Sequence, residues 1–415
     1  MTSRVRWLSA GIVLLIVIAG VVIRRAVADA PDAPGALPAA SAAQQIPPSV
    51  SAPPPAPSAS ASSSAPSASA PSPQRCADTV LAGLSLAERA GQVLMIGTPV
   101  GSPRELGGVV ASHDLGGVFL AGRSSRSAAG LRADIAALQR RAGTPLLVAL
   151  DQEGGSVQTL KGRDFPLIPS AQRLGAGAPA KLRGTVRDTA QRLAGIGVTV
   201  NLAPVADTVP AKLGEGNPPI GGFHRQYGSD PDAVAGDVAT VVSASQGARV
   251  LTILKHFPGL GRVRANTDTT ARVVDNTTTV DDPYLKPFVA GIKAGSAGVM
   301  ISSATYPKID GSSIAAFSKP IVTTLLRERL GYTGLVMSDD LGAAASASAL
   351  PTGERAVRFV AAGGDLVLSI RPQDAVPMAA SLIAAARESP PFAARLTDAA
   401  RHVLQAKDRA GLLTC

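Results

Sequence analysis

The sequence predicts a TIM (β/α)8 barrel, preceded by a signal or membrane-anchor segment and a disordered linker. Two observations carry the barrel prediction: eight short apolar runs alternate with amphipathic helical stretches across residues 75–415, and polar residues follow most of these runs. Strands that alternate with helices form a parallel sheet, and eight of them close into a barrel. The alternative is an open, doubly wound sheet, which usually has fewer strands and a glycine-rich loop after the first.

The predicted elements follow one another regularly along the chain. The strands are predicted at Val93–Ile96, Gly117–Leu120, Leu146–Leu150, Val198–Leu202, Val250–Leu254, Gly298–Ile301, Gly334–Met337 and Asp365–Leu368. The helices between and after them are predicted at Ala128–Arg141, Ala180–Gly195, Asp232–Ala248, Pro283–Ala294, Lys319–Leu330, Glu354–Ala362 and Ala375–Arg387.

Residues 1–30 have the pattern of an export segment. Two arginines precede and two follow an uncharged, mostly apolar run from Trp7 to Ile23. This run is at the short limit for crossing a bilayer, so a membrane anchor and a removed signal peptide both stay open. We therefore expect a protein outside the cytoplasm, which is held at the membrane or cell wall, or secreted if the segment is cleaved.

Residues 31–74 consist almost wholly of Ala, Ser and Pro. Such a segment cannot bury enough apolar surface to offset its conformational entropy, and its prolines keep it extended. We expect a disordered linker that separates the export segment from the domain at residues 75–415. A disordered tail without a spacer role is the alternative.

The composition limits the partners of this domain. The chain has a formal net charge of +10 and only 3% aromatic residues. Positive charge suits anionic polymers such as cell-wall material, whereas few aromatic residues argue against a base-stacking nucleic-acid surface. No His, Cys and carboxylate cluster has the spacing of metal ligands, so we expect no metal and no cofactor.

The two cysteines stand at opposite ends of the predicted domain, Cys76 at its start and Cys415 at the end of the chain. The termini of a barrel lie close together, and an oxidising exterior permits disulfides. We therefore expect a disulfide bond between Cys76 and Cys415, with two free thiols as the alternative.

Charged residues gather at the predicted carboxyl ends of the strands, where barrel enzymes place their chemistry. They are Asp151 and Glu153, Asp207, Lys255 and His256, and Asp339 and Asp340; Ser302 and Ser303 follow another strand. Structural ion pairs at the barrel rim would explain one such cluster. Several clusters that converge on one face indicate a site.

Five segments, in this order, resemble glycoside hydrolase family 3: ALDQEGG (149–155), NLAPVAD (201–207), RQYGSDP (225–231), KHFPG (255–259) and VMSDDLG (336–342). The chain is similar to the family's single-domain N-acetyl-β-glucosaminidase (β-hexosaminidase) branch. This resemblance implies a retaining glycosidase in which Asp339 is the nucleophile that forms a glycosyl–enzyme ester. Asp340 is then a structural neighbour.

The resemblance also implies that Asp151, Arg225, Lys255 and His256 bind the hydroxyl groups of the sugar that is cleaved. A carboxylate accepts hydroxyl protons, while guanidinium, ammonium and imidazole groups donate. His256 as an ordinary buried histidine is the alternative.

The chain departs from the branch in the loop after KHFPG. The family carries an Asp-Ser-His run there, whose His transfers the proton, but this chain has Asn266, Thr267 and Asp268. Three alternatives stay open: Asp268 is the general acid/base, another group is, or acid catalysis is impaired. We expect Arg262 and Arg264 to lower the pKa of Asp268. Among the remaining histidines, only His224 is placed to reach a sugar.

We therefore expect a glycoside hydrolase that removes terminal β-linked N-acetylglucosamine, with cell-wall muropeptides as its substrates. A second departure bears on how an N-acetyl or acidic substituent is held: Ser156 and Thr159 stand where the branch tends to carry arginines. Two alternatives are a catalytically impaired sugar-binding barrel and a β-glucosidase of the same family.

Overall fold

Eight parallel strands close into a barrel in the structure, a computed structural model that describes residues 73–415. The strands are β1 Leu94–Pro99, β2 Gly117–Ala121, β3 Leu147–Leu150, β4 Val200–Asn201, β5 Leu251–Phe257, β6 Gly298–Ile301, β7 Leu335–Asp340 and β8 Leu366–Ser369. Each strand pairs in parallel with the next one in sequence, and β8 pairs with β1. The predicted TIM barrel is confirmed.

Helices surround this barrel. They are α1 Pro73–Gly83, α2 Leu86–Gln92, α3 Gly107–His113, α4 Ala128–Gln139, α5 Ala171–Gly175, α6 Pro179–Ala194, α7 Pro231–Gln246, α8 Lys286–Lys293, α9 Thr352–Ala361, α10 Ala375–Glu388 and α11 Pro390–Arg409. A π-helix spans Pro320–Arg329. Short 3-10 helices lie at Pro103–Leu106, Gly214–Gly216, Gly221–Phe223, Pro283–Leu285, Ala315–Phe317, Ala345–Ala347 and Pro372–Asp374.

The predicted strand positions agree with the structure to within a few residues, but several helices were not predicted. These are α1, α2, α3, α5 and α11, and a small antiparallel hairpin, Gln152–Gly154 with Val157–Gln158, was also missed. Helix α2 has a recognisable start, because Ser85 and Glu88 form a capping box. The predicted helix Pro283–Ala294 is divided into a 3-10 turn and α8.

Side-chain alternation along the strands explains the two layers of the core. Leu147 and Ala149 of β3 belong to a cluster inside the barrel, whereas Val148 and Leu150 pack between the strands and the helices. Successive side chains of a strand point to opposite faces, and both faces of a barrel strand are covered. Barrel strands therefore consist of continuous apolar runs.

Helix α11 covers the amino-terminal end of the barrel and brings the two cysteines together. Val403 and Ala406 of α11 extend the interior cluster, and α1 packs against α11. Cys76 in α1 and Cys415 form a disulfide bond whose Cα atoms are 5.7 Å apart. The bond joins residues 339 positions apart, so it closes a loop around the whole barrel.

The predicted export segment at residues 1–30 and the linker up to residue 72 lie outside the described residues. Across residues 73–415, no helix combines the length and apolar character needed to cross a bilayer.

Candidate active site

A cavity of about 500 Å³ opens at the carboxyl ends of the barrel strands. Its apolar lining includes Phe119, Leu202, Met300 and Leu368. Its charged and histidine residues come from the strand ends and the loops that follow them: Arg123, Asp151, Arg225, Lys255, His256, Asp268, Asp339 and Asp340. The structure therefore brings into one cavity all six residues predicted to act in catalysis or sugar binding.

Glu153 is the centre of a buried ion network at this cavity. Its Oε1 and Oε2 accept hydrogen bonds from Nη2 and Nε of Arg225, each at 2.8 Å. Nζ of Lys255 lies 2.6 Å from Oε1 of Glu153 and donates to Oδ1 of Asp151, also at 2.6 Å. The network fixes the two cations, because each is bound to carboxylates from the segment after β3.

The charges of this network stabilise one another. Burial opposes ionisation of Glu153, but the charges of Arg225 and Lys255 outweigh it and lower the pKa of Glu153 to about 2. Burial likewise opposes protonation of Lys255, yet the carboxylates of Asp151 and Glu153 raise the pKa of Lys255 above its ordinary value. Both cations are therefore charged at neutral pH and can donate hydrogen bonds.

His256 is held by Asp207, a carboxylate that is completely buried. Nδ1 of His256 donates to Oδ2 of Asp207 at 2.7 Å, and the backbone N–H of His256 donates to the same carboxylate. This contact directs Nε2 of the ring toward Arg225, whose Nη2 lies 3.5 Å away. The peptide bond between Lys255 and His256 is cis. The hydrogen bonds from His256 to Asp207 fix the orientation of the imidazole ring at the cavity.

Asp339 lies near the end of β7 and lines the cavity. Its Oδ1 accepts a hydrogen bond from the backbone N–H of Asp340 at 2.9 Å. Burial raises the pKa of Asp339; the charge of His256 opposes this shift, and the charge of Asp268 adds to it. A negative charge on Asp268 therefore disfavours ionisation of Asp339.

Asp340 has a different set of partners from its neighbour. Its two carboxylate oxygens accept backbone hydrogen bonds from Gly342, Ala343 and Ile370 at 2.9–3.1 Å. These contacts order the turn after β7 and join it to the segment after β8. The side chain of Asp340 thus has the bonds of a structural residue, although it also borders the cavity.

The loop that carries Asp268 is anchored at several points. Asn217, which is completely buried, donates to the carbonyl oxygens of Leu260 and Val263, each at 2.8 Å. Oδ1 of Asp207 accepts from the backbone N–H of Leu260 at 2.7 Å. A Cβ at Gly261 would overlap a backbone carbonyl of the segment after β4, so only glycine permits this close approach.

Asp268 lies exposed at the outer part of this loop and lines the cavity. Its backbone N–H donates to Oδ1 of Asn266 at 2.9 Å, and its carbonyl oxygen accepts from Ala345 at 3.2 Å. A second backbone bond links Thr267 to Ser346, also at 3.2 Å. The loop after β5 is therefore tied to the loop after β7, which follows Asp339.

Two residues near this loop have partners that the sequence did not indicate. Arg262 donates to both carboxylate oxygens of Asp282, and its guanidinium stacks over the ring of Tyr284. His224 is not among the residues that line the cavity; its Nε2 lies 3.6 Å from Oε1 of Glu215. These contacts give neither Arg262 nor His224 a role in proton transfer or sugar binding.

Sequence reasoning assigned no role to three residues of this region, although it placed Glu153 among the charges at the strand ends. Glu153 follows Asp151 by two positions, so both face the same side of an extended segment, and this signal could have identified it. Asn217 donates hydrogen bonds to backbone atoms that are distant in sequence. Such contacts leave no local pattern from which its role could be predicted. Arg123 follows β2 and lines the cavity; its position just beyond an apolar run was the available signal.

No group of three or more His, Cys, Asp or Glu side chains within residues 73–415 is arranged to hold a metal ion.

The carboxyl end of this TIM barrel brings carboxylates and cations together around one cavity. Glycoside hydrolases use paired carboxylates in this way, so the site is suited to glycoside hydrolysis. Comparison with known proteins gives the same class and its family. A profile described as the glycosyl hydrolase family 3 N-terminal domain matches residues 85–406. The chain belongs to glycosyl hydrolase family 3, and it is a glycoside hydrolase.

Relatives within the family agree with the predicted branch. A beta-hexosaminidase from Xanthomonas oryzae pv. oryzae is 36% identical over 278 residues, which are 63% of this chain and 78% of the relative. A crystal structure of a beta-N-acetylhexosaminidase from Beutenbergia cavernae is 44% identical, with a TM-score of 0.77, 79% of this chain covered and 99% of that one. A family 3 beta-N-acetylglucosaminidase from a Paenibacillus species is 28% identical, with a TM-score of 0.73, 80% of this chain covered and 63% of that one.

Proposed function

We propose that the protein removes terminal β-linked N-acetylglucosamine from cell-wall fragments with retention of configuration, through a glycosyl ester on Asp339. Relatives named beta-hexosaminidase and beta-N-acetylhexosaminidase support N-acetylglucosamine as the sugar that is released. The alignment with this chain covers most of the length of each relative. One observation carries the proposal: Asp339, Asp268 and the cluster of Asp151, Lys255 and Arg225 line a single cavity.

In the first step of the proposed reaction, the cluster of Asp151, Lys255, Arg225 and His256 binds the sugar hydroxyls. An oxygen of Asp339 attacks the anomeric carbon, and the bond from that carbon to the leaving oxygen breaks. Asp268 gives its proton to the leaving oxygen. The covalent ester then holds the sugar while the aglycone departs.

In the second step, a water molecule attacks the anomeric carbon and Asp268 takes a proton from it. The bond between Asp339 and the sugar breaks, which regenerates the carboxylate. The anomeric configuration is inverted twice, so it is retained. A proton NMR time course of the first-formed product tests this: the β-anomer supports the proposal and the α-anomer contradicts it.

A sugar-binding barrel without an efficient acid is the second candidate, because Asp268 replaces the histidine of the branch and is exposed to solvent. An activated aryl N-acetylglucosaminide needs no protonation of its leaving group, whereas a disaccharide does. Cleavage of both substrates supports the glycosidase. Cleavage of the aryl glycoside alone supports an enzyme with impaired acid catalysis, and cleavage of neither supports the binding protein.

The β-glucosidase alternative differs in the group that the sugar carries at its second carbon. Matched 4-nitrophenyl glycosides of glucose and N-acetylglucosamine separate the two activities. The proposal requires a kcat/KM for the N-acetylglucosaminide that exceeds that for the glucoside by at least about tenfold, or roughly 1.4 kcal/mol of transition-state discrimination.

We also propose that the protein is exported and that residues 1–30 hold it at the membrane or are removed. The disulfide between Cys76 and Cys415 supports export, because disulfides persist in oxidising compartments. Cell fractionation followed by N-terminal sequencing of the mature chain tests this. A cytoplasmic protein that retains free thiols would contradict the proposal.

A further inference from the structure

We infer that the loop at residues 161–170 and helix α6 form a second, non-catalytic site that holds an anionic polysaccharide. The inference goes beyond the proposed hydrolysis and draws on the proposed export, which brings the chain among the polymers of the cell envelope. The site is a groove of about 270 Å³, here called the α6 groove, which is lined by Pro166 and Leu167 of the loop and by Lys181 and Arg192 of α6. No described residue lines both the α6 groove and the catalytic cavity.

Positive charge is concentrated in this part of the chain. Residues 161–192 contain seven Lys and Arg residues and two Asp, a net charge of +5 out of the +10 of the whole sequence. The seven cations are Lys161, Arg163, Arg173, Lys181, Arg183, Arg187 and Arg192. All seven are exposed, and none forms an ion pair with a carboxylate of the described residues. Exposed cations elsewhere do form such pairs, as Lys286 does with Asp232 and Arg329 with Asp281. The charge of residues 161–192 is therefore free to attract an external anion.

Three hydrogen bonds bring cations from separate segments to one end of the groove. Oδ2 of Asp164 accepts from the backbone N–H of Ala128, the first residue of α4, at 2.8 Å, and its carbonyl oxygen accepts from Nη1 of Arg192 at 3.1 Å. Nε of Arg132 in α4 donates to the carbonyl oxygen of Gly195, directly after α6, at 2.6 Å. The cations of α4, of the loop and of the end of α6 therefore lie near one another.

The spacing of the cations fits a polymer better than a small anion. Lys181 and Arg192 both line the groove, but they are separated by about 16 Å along α6 at the helical rise per residue. A single phosphate or carboxylate group cannot contact both, whereas a chain with a charge on each repeating unit can. Asp188 is the one acidic residue among those that line the groove, and it lies between the two cations in sequence.

Leu167 favours a polysaccharide over a membrane surface as the partner. Its side chain is 78% exposed, and of the four large hydrophobic side chains exposed within the described residues it is the only one at the α6 groove. Binding in the plane of a membrane requires a broad apolar face, which one leucine does not provide. A sugar ring can instead pack its C–H face on Leu167 while its acidic substituents contact the cations on either side.

The test measures binding of the full chain to polygalacturonate, a polysaccharide with one carboxylate on each sugar, at about 0.15 M salt. Neutral dextran is the uncharged control polymer, and phosphatidylglycerol vesicles represent a membrane surface. The test variant combines Lys181→Gln with Arg192→Gln. The matched control combines Lys293→Gln at the end of α8 with Arg387→Gln in α10, which removes two exposed cations far from residues 161–192 in sequence.

We expect the dissociation constant for polygalacturonate to rise about tenfold or more in the test variant, because two charge-assisted contacts are lost, and less than about twofold in the control. Asp188→Asn lowers the dissociation constant about two- to threefold, because it removes the negative charge from the groove. Leu167→Ser raises it about threefold through the loss of apolar contact. The kcat/KM for a 4-nitrophenyl N-acetylglucosaminide stays within about twofold of the wild-type value in every variant, since the groove shares no residue with the catalytic cavity.

Four outcomes overturn the inference. The wild-type chain does not bind polygalacturonate, or it binds neutral dextran equally well. The control loses as much affinity as the test variant, so that only the net charge matters. The substitutions at Lys181 and Arg192 weaken binding to the vesicles and leave binding to polygalacturonate unchanged, which assigns this face to a membrane. A chain that binds polygalacturonate through the groove but hydrolyses no N-acetylglucosaminide refutes the proposed function and leaves the inference standing.

Discussion

Glu153 and Arg225 form a bidentate, buried ion pair that joins the hairpin after β3 to the long segment after β4. Both contacts measure 2.8 Å, and Glu153 also holds Lys255. Glu153 was not predicted as a site residue, yet it fixes two of the cations that were. The proposed sugar-binding part of the site therefore depends on Glu153, a buried carboxylate whose two partners are themselves largely buried.

Replacing Glu153 by Gln leaves the buried cations Arg225 and Lys255 with Asp151 as the one remaining carboxylate of the network. We expect the free energy of unfolding to fall by about 3–5 kcal/mol, because an unpaired buried charge is costly. We also expect kcat/KM to fall for every substrate alike, since Arg225 and Lys255 are proposed to bind the sugar that all substrates share. Urea unfolding and steady-state kinetics measure the two effects, with Glu388→Gln at the exposed end of α10 as the control.

The pH dependence of stability gives an independent check on Glu153. Its pKa is about 2 in the folded protein, below its ordinary value of 4.5, so the unfolded chain binds its proton first as the pH falls. The resulting stability is present above pH 4.5 and is lost as the pH falls toward 2. Glu153→Gln is expected to flatten the stability profile in this window; an unchanged slope would show that folding does not lower the pKa of Glu153.

Asp268→Asn tests the assignment of the general acid. We expect kcat/KM for a disaccharide to fall by roughly 10²–10⁴, while kcat/KM for an aryl glycoside with an activated leaving group changes only a few-fold. The acid limb of the aryl-glycoside profile moves to lower pH, because the charge of Asp268 raises the pKa of Asp339. If disaccharide cleavage survives the substitution, another group supplies the proton.

Asn217→Ala tests whether the anchored loop positions Asp268. The substitution removes two hydrogen bonds to the loop, at Leu260 and Val263, each with a net worth of about 1 kcal/mol. We expect kcat/KM to fall at least tenfold for disaccharides and much less for activated aryl glycosides. A uniform fall across substrates would instead mean that Asn217 maintains the fold or the position of Arg225.

The sequence located the barrel and the residues of its motifs, because both leave local signals. Continuous apolar runs mark strands buried on two faces, and Asp339, Lys255 and Asp151 stand directly at strand ends. Contacts between segments that are distant in sequence could not be predicted in this way. The bond from Asn217 to Val263 and the pair of Arg262 with Asp282 exist only once the loops fold over the barrel. The sequence therefore contained no sign that Asp282 is the direct partner of Arg262.

Helix α11 shows the same limit at the other end of the barrel. Its apolar residues complete the interior cluster, but the sequence after the eighth strand gave no indication that a helix closes the barrel there. The pairing of Cys76 with Cys415 was predictable, since it required only that the barrel termini be close.

The disulfide is expected to stabilise the barrel by joining α1 to the end of the chain. Removing it with Cys76→Ser and Cys415→Ser together lowers the free energy of unfolding by roughly 2–4 kcal/mol, mainly because the unfolded chain gains freedom. Catalysis is expected to be unaffected, as the bond lies away from the cavity. Thermal unfolding with and without a reductant measures the effect, and the double variant is expected to lose its sensitivity to the reductant.

Trapping the covalent intermediate tests the central claim most directly. A fluorinated N-acetylglucosaminide analogue with an activated leaving group forms a slowly hydrolysed ester on the nucleophile of a retaining enzyme. Peptide mapping by mass spectrometry is expected to locate the adduct on Asp339 in the wild-type protein and to find none in Asp339→Ala. An adduct on another carboxylate, or turnover by Asp339→Ala at the wild-type rate, would contradict the assignment.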